Sequence, residues 1–488
     1  MKKALALILA LLMIATALAA CNDTPAVPED SETESSPADT SQSANIPAVV
    51  PSDATLFVGY AREDINPPED MIPELYLTGY ADASSRDIRN IENTLYVTCT
   101  AFRDKEGDTA LIYSLDLHSM TNAQATGIIS QITKATGVTK ANVILNVTHN
   151  HAAPAMVKTY LNEVITPAAV KAAEDAIADL KACTELYAGE VYMRASAFIR
   201  RYITDANGKP IAHMSEMDNM VPVARFVRDG GKDVVLVNFA AHADTVSGRA
   251  WNTLSADYVY AFREVVEEGA DCLFAMQNGA SGDVSPATQL DEPALYDGRT
   301  KTYGRRLGEL VVGELKNLPK LEIVGDVNSV SSTVKVEVNH TEDHLASKAD
   351  EVKALYYSDN KEDKAKATEK MKEYGFASIY AAEAIGWRLS RGLTERRPIS
   401  AVSIGNIIFV AADYEMFTKT ARNIKDAGNE LVDLTFVCAY SNGMQAGYIP
   451  PVEIFEYDTY EVYSCIFMPG SAELIEAGII ELINEIAK

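Results

Sequence analysis

The chain has 488 residues, with 43 Lys and Arg against 69 Asp and Glu, a formal charge of −26 at pH 7. That imbalance excludes a nucleic-acid binder and a surface held to anionic lipid by basic residues, because both need clustered positive charge. Hydrophobic residues make up 47% and charged residues 23%, the mix of a chain that buries a core rather than of a disordered polymer or a bundle of spanning helices.

Lys2 and Lys3 precede an apolar or small-residue run from Ala4 to Ala17, and Leu18-Ala19-Ala20-Cys21 has the small residues of a cleavage site. The pattern is similar to a bacterial lipoprotein signal over residues 1–20, with Cys21 as the lipidated start of the mature chain; a plain secretory signal with Cys21 as an ordinary thiol is the alternative. Beyond Cys21, residues 22–54 contain no aromatic side chain, Lys or Arg, and carry the acids Asp23, Glu29, Asp30, Glu32, Glu34, Asp39 and Asp53. Such a segment buries too little apolar area to offset its ordering entropy, so 21–54 is expected to be a disordered acidic tether. The expected location is the extracytoplasmic side of a bacterial envelope, lipid-anchored to the membrane. The other cysteines, 99, 183, 272, 438 and 465, are odd in number and widely spaced, which predicts buried or free thiols rather than a zinc–thiolate site.

From Thr55 onward, strand and helix patterns alternate. Strands are expected over 55–60, 95–102 and 110–117, then a helix over 122–136 ended by Gly137, then a buried strand over 141–147 leading into Thr148-His149-Asn150-His151. A helix over 166–181, a strand around 190–200 and a polar turn at 205–208 follow. Next come a strand pair over 221–227 and 233–240, a helix over 256–269, and a strand over 271–277 that runs into a Gly/Ser loop. After a helix over 302–317, two strands are expected within 321–339 and a charged helical pair over 345–389. A hairpin at 399–410 turns at Gly405-Asn406, a helix starts at Glu415, and a helix closes the chain. The order predicts an α/β fold, a single large mixed sheet with flanking helices, in one catalytic body over 55–488.

Loops after strand ends are where open sheets build their sites. His149 and His151, at i and i+2, would project to one side of an extended segment, and His242 follows a strand in the same way. His340 and His344 lack the glutamate position of a zinc helix, so a surface loop is expected there. His118 and His213 have no companion in the sequence and read as structural. The stretch Asn278-Gly-Ala-Ser-Gly-Asp-Val-Ser-Pro286 can expose backbone N–H groups beside Ser285, and no G-x-S-x-G nucleophile elbow exists.

Taken in order, Phe57-Val-Gly-Tyr-Ala-Arg-Glu-Asp-Ile-Asn-Pro-Pro68, Gly79-Tyr80-Ala81, Thr148-His-Asn-His-Ala-Ala-Pro154, Asn238-Phe-Ala-Ala-His242, Gly282-Asp-Val-Ser-Pro286, Glu415-Met-Phe-Thr418 and Tyr440-Ser-Asn with Gly447-Tyr448 resemble the landmarks of the neutral ceramidase family. The resemblance implies a zinc amidase acting on ceramide or another lipid-like N-acyl substrate. It implies one Zn²⁺ per chain, held by His149, His242, Glu415 and Tyr448. Ser285 falls on the family's essential serine, His151 on a proton-shuttle or oxyanion position, Arg200 (or Arg201) on an oxyanion-stabilising arginine, and Tyr460 on a further site tyrosine. The chain departs from the family at Ala152-Ala153, Ala287 and Gly447, and at Lys488, where no immunoglobulin-like domain follows. A divergent hydrolase of a different amide or ester, or a non-catalytic binding lipoprotein, is the alternative reading.

Overall fold

The computed structural model describes residues 53–80, 86–193, 196–204, 209–246, 250–286, 299–444 and 446–487. The signal stretch 1–20, Cys21, most of the tether, the turn at 205–208 and Ala287 lie outside them. Among the described residues, no helix is long and apolar enough to cross a membrane.

The first half of the chain builds a large mixed sheet from β1 (Leu56–Asp64), β2 (Tyr96–Asp104), β3 (Thr109–Leu115), β4 (Val143–Val147), β5 (Lys181–Tyr192), β7 (Met220–Arg228), β8 (Val234–Phe239) and β9 (Leu273–Asn278). Short strands β6 (Ala197–Ile199) and β10 (Val284–Pro286) pair with each other outside it. The sheet order is β9-β8-β7-β5-β1-β2-β3-β4, and Lys320–Leu321 adds to β5. Only β3/β4 and β8/β9 are parallel. Each parallel pair needs a crossover, supplied by α1 (Asn122–Thr136) and α3 (Tyr258–Ala270). Helices α2 (Thr166–Ala178) and α4 (Arg299–Glu314) pack on the same face as α1 and α3.

A second sheet follows, in the order β11 (Val327–Glu337), β12 (Thr394–Ile404), β13 (Ile407–Ala412), β14 (Leu434–Cys438). Its Val402, Ile404, Ile407, Phe409 and Phe436 pack against Val58, Phe102, Ile112 and Phe226 of the large sheet. Phe102 is the hub, with ring centroids 5.0 Å from Phe226 and 6.3 Å from Phe409. With α8 (Thr418–Asn429) and α9 (Ser471–Ile486) covering the far face, the layers run helix, sheet, sheet, helix. Burial explains the patterns: β13 is a continuous apolar run, and β8 and β14 are broken only by Asn238 and Thr435, because both faces of these strands are covered.

Several expected boundaries move. The two strands expected within 321–339 are present but unequal: Lys320–Leu321 is a two-residue addition to β5, and Val327–Glu337 is one long strand. The segment 345–389 is three helices, α5 (Ala346–Tyr356), α6 (Lys361–Tyr374) and α7 (Ile379–Leu389), around a small core of Val352, Phe376, Ile379 and Ile385. Asn360 caps α6 and Gly375 ends it at φ 81°, and Ser378 caps α7; these signals divide what reads as one charged run. The strand expected near 190 begins at Lys181, because α2 stops at Ala178. The helix expected from Glu415 begins at Thr418, so Glu415 sits in an irregular link.

Side-chain amides stitch the two sheets together where their parallel strands end. Asn146 in β4 donates to the carbonyls of Ala439 (2.5 Å) and Asn278 (3.2 Å), and its Oδ1 accepts from Asn278 N at 2.7 Å. Asn238 in β8 exchanges two hydrogen bonds with Val437, at 2.8 and 3.1 Å. These fully buried amides bring the ends of β4, β8, β9, β13 and β14 to one place, which is where the site lies.

Candidate metal centre

Each of those strand ends delivers one part of the site. His149 and His151 follow β4, His242 follows β8, Gly282 to Ser285 follow β9, Glu415 follows β13, and Tyr440 and Tyr448 follow β14. The H-x-H segment is not extended: His149 has φ 57°, so its ring and that of His151 cross at 87° with centroids 4.8 Å apart. They meet tip to tip, Nε2 to Nε2 at 3.2 Å, instead of lying side by side.

The ring nitrogens are sorted by their backbone partners. His149 Nδ1 lies 3.1 Å from the carbonyl of His118, and His242 Nδ1 lies 2.6 Å from that of Ser281. A carbonyl only accepts, so both Nδ1 atoms carry the proton and both Nε2 atoms of the neutral rings present a lone pair. Glu415 Oε2 lies 3.4 Å from His149 Nε2 and 3.5 Å from His242 Nε2. The Tyr448 hydroxyl lies 3.3 Å from His242 Nε2. Oε2 is buried without a hydrogen-bond donor. An anionic oxygen facing two lone pairs is repulsive unless a cation stands between them. Tetrahedral zinc, with ligands at about 2.0–2.1 Å, separates its ligands by about 3.3 Å, the spacing found here. The residues fit a zinc ion, and His149, His242 and Glu415 form one of the groups whose donor atoms lie within 4.8 Å of one another.

Burial acts strongly on four of these groups. It pushes the Glu415 carboxyl up, but positive charge beside it, on the His149 and His242 side where a cation would stand, outweighs burial and holds the group well below the ordinary carboxylate range. Burial drives His151 well down, reinforced by the rings of His118, His149 and His242. His242 is lowered by burial and then by Arg200. Burial raises the Tyr448 phenol far above its ordinary value even though Arg200 pulls the other way.

Arg200, rather than Arg201, reaches the centre. Its Nη2 donates to the Tyr448 hydroxyl at 3.0 Å and to the Gly282 carbonyl at 2.8 Å, and its Nη1 lies 3.4 Å from His242 Nε2. Arg201 turns away to the second oxygen of Glu461. Gly282 is required by contact: a Cβ there would stand 2.7 Å from the carbonyls of both Glu415 and Met416. Asp283 accepts from the Thr418 backbone (2.8 Å) and hydroxyl (2.9 Å), pinning the loop to the start of α8. Ser285 then falls opposite Phe198 in the β6/β10 ladder, and the preceding Val284 carbonyl accepts from His242 N at 3.3 Å. Among the described residues, no imidazole or carboxylate hydrogen-bonds the Ser285 hydroxyl.

Tyr460 stacks edge-on to Tyr448 at 5.4 Å and separates two cavities. One, of about 330 Å³, opens over Glu415 and Tyr448 and is walled by Met444, Ile466 and Trp387 of α7. The other, of about 510 Å³, is lined by Arg201, Tyr202, Met214 and Tyr463. Two residues were missed by sequence reasoning. Glu461, next to Tyr460, holds both arginines. His118, read as structural, packs its ring 4.5 Å from His149 and 4.8 Å from His151, and its place after β3, beside β4, was the available signal. His340 pairs with Asp343 and stays outside the site, and exposed His213 stacks on Tyr202. The five described cysteines are free and buried.

No protein-family model and no curated protein matches the sequence. Among solved structures, neutral ceramidase from Pseudomonas aeruginosa matches with a TM-score of 0.68 at 16% identity, over 89% of this chain and 75% of that one. A ceramidase complexed with C2 matches with a TM-score of 0.66 at 14% identity, over the same shares. The layered sheets and the strand ends that carry the His and Glu side chains therefore belong to a chain with the neutral ceramidase fold.

Proposed function

We propose that the chain is a zinc-dependent hydrolase of linear amide bonds, with ceramide or another N-acyl lipid as substrate. One zinc ion is held by His149, His242, Glu415 and Tyr448. The observation that carries this reading is Glu415 Oε2, buried and donor-free between two Nε2 lone pairs, an arrangement that a cation stabilises. Zinc supplies Lewis acidity there, polarising a carbonyl and acidifying a nearby hydroxyl or water.

The protein groups divide the rest of the work. Arg200, its charge fixed by Glu461, faces the site with a guanidinium that stabilises negative charge on the carbonyl oxygen. Ser285 orients the scissile carbonyl or attacks it, and His151 and Tyr460 serve as hydrogen-bonding groups at the rim. The cavity of about 330 Å³ against Trp387 and Ile466 suits an acyl chain, which favours an amphiphile over a small polar amide. Cys21 and the acidic segment behind it would hold the enzyme at the outer face of the bacterial membrane, next to such substrates.

Metal analysis of the purified chain, before and after chelation and zinc readdition, tests the reading. About one zinc per chain and recovery of amide hydrolysis are expected; a protein that takes up no zinc defeats it. Short-chain fluorescent ceramide, run beside N-acyl amino acids, sorts the substrate.

A further inference from the structure

Arg86 is fully buried, with no carboxylate partner among the described residues. Its guanidinium packs against two adjoining rings, with Cζ 4.9 Å from the centroid of Tyr80 and 4.5 Å from that of Trp251. Nε donates to the Trp251 carbonyl at 3.2 Å, and Nη1 donates to the carbonyls of Thr78 and, at 2.8 Å, of His151. One side chain thus ties three loops together at the H-x-H segment. Its Nη2 is buried with no acceptor.

The neighbouring imidazole has a matching deficit. His151 Nδ1 is also buried without a partner, in a side chain that is 8% exposed. Gly79, at φ 103°, keeps its approach clear: a Cβ there would come within 2.5 Å of that nitrogen. The Tyr80 ring, which covers one face of Arg86, also meets the His151 ring edge-on at 5.0 Å. A buried donor without an acceptor and a buried imidazole nitrogen without a donor each cost about 1–3 kcal/mol, and pairing them removes both penalties. The other end of the ring agrees. His151 Nε2 stands 3.2 Å from His149 Nε2, which is a lone pair because His149 Nδ1 donates to His118. In the metal-free chain a proton on His151 Nε2 makes that contact favourable, and with zinc on His149 Nε2 the same N–H is left for another acceptor.

We propose that Arg86 is a positioning residue that directs Nη2–H at His151 Nδ1, directly or through one water, and so holds His151 as its Nε2–H tautomer. The ring then offers a hydrogen-bond donor, not a metal ligand, to an oxygen of the bound substrate. The use of that donor rests on the hydrolase reading; the tautomer does not.

The test is long-range ¹H–¹⁵N correlation NMR of the ¹⁵N-histidine-labelled full chain, metal-free and zinc-loaded, with His151 assigned by comparison with His151→Gln. The expected result is an unprotonated Nδ1 and a protonated Nε2 in wild type. Arg86→Met should shift the signal toward the other tautomer, and Arg86→Lys should restore it in part. With a substrate in hand, Arg86→Met should lower kcat by about 10–100-fold, as loss of an outer-shell partner does, with KM and zinc content little changed. A wild-type His151 protonated on Nδ1, as ligation through Nε2 requires, overturns the proposal, as does an unchanged tautomer in Arg86→Met. The wild-type spectrum decides the matter even if Arg86→Met does not fold. Absence of hydrolysis toward every amide defeats the hydrolase reading and leaves the tautomer measurement standing.

Discussion

Arg200 and Glu461 form a buried ion pair, Nη2 to Oε1 at 2.9 Å, in which the carboxylate has no solvent exposure. The other carboxylate oxygen holds Arg201 at 2.9 Å, so one acid neutralises two adjacent cations. Glu461→Gln leaves the Arg200 charge buried and uncompensated, and breaking such a pair costs about 3–5 kcal/mol. Chemical denaturation should read that loss. Turnover should fall as well, since the guanidinium loses the anchor that aims it at Tyr448. Arg201→Ala should cost under about 1 kcal/mol, because its side chain is 34% exposed and screened by solvent. Equal losses for the two substitutions would mean that Glu461 does not serve Arg200 specifically.

Glu415 should make the metal-free protein less stable than it needs to be. Its Oε2 faces two lone pairs and gains no hydrogen bond in return. Glu415→Gln places an amide there that can donate to the imidazoles. With chelator present, the variant should be more stable than wild type by about 1 kcal/mol, the worth of one hydrogen bond. With zinc present the order should reverse, because only wild type binds the ion and is stabilised by mass action. Thermal melts of both proteins with and without zinc give the four values, and a variant less stable than wild type in chelator would contradict the repulsion argument.

The three strand ends that gather the site were readable from the sequence because each strand is a largely apolar run followed within three residues by the polar residue that acts: Val147 before His149, Phe239 before His242, Ala412 before Glu415. The order of strands was not readable, since Asn146 and Asn238 look like ordinary polar interruptions until the two sheets they join are seen. The division of 345–389 into three helices was available in Asn360, Gly375 and Ser378 but was masked by the continuous charge of the region. The left-handed conformation of His149 was hidden too, because positive φ remains rare even for histidine, so the residue type alone does not mark it.

Ser285→Ala separates chemistry from metal binding. The hydroxyl makes no hydrogen bond to His149, His242, Glu415 or Tyr448, so zinc content and melting temperature should match wild type. Turnover should be abolished if the hydroxyl attacks or orients the carbonyl. Full activity in a zinc-loaded Ser285→Ala protein would move that role to another group.

Asp257 should impose a pH dependence on stability that does not involve the metal centre. Its carboxylate caps α3, accepting from Tyr258 N at 2.7 Å, Val246 N at 2.8 Å and the Thr245 hydroxyl at 2.5 Å. Burial nevertheless outweighs those bonds and pushes the carboxyl up from 3.8 to about 6. Because the folded-state value lies above the unfolded one, the native protein holds a proton that the unfolded chain has released. The stabilisation is full below about pH 4 and is lost as pH rises through 6. At about 1.4 kcal/mol per pH unit, the loss is about 3 kcal/mol. Asp257→Asn cannot titrate, so the stability of wild type minus that of the variant should fall by about this amount between pH 4 and pH 7. Urea denaturation of both proteins across that range measures it, and a difference that stays flat or grows with pH would show that the hydrogen bonds, not burial, govern the group.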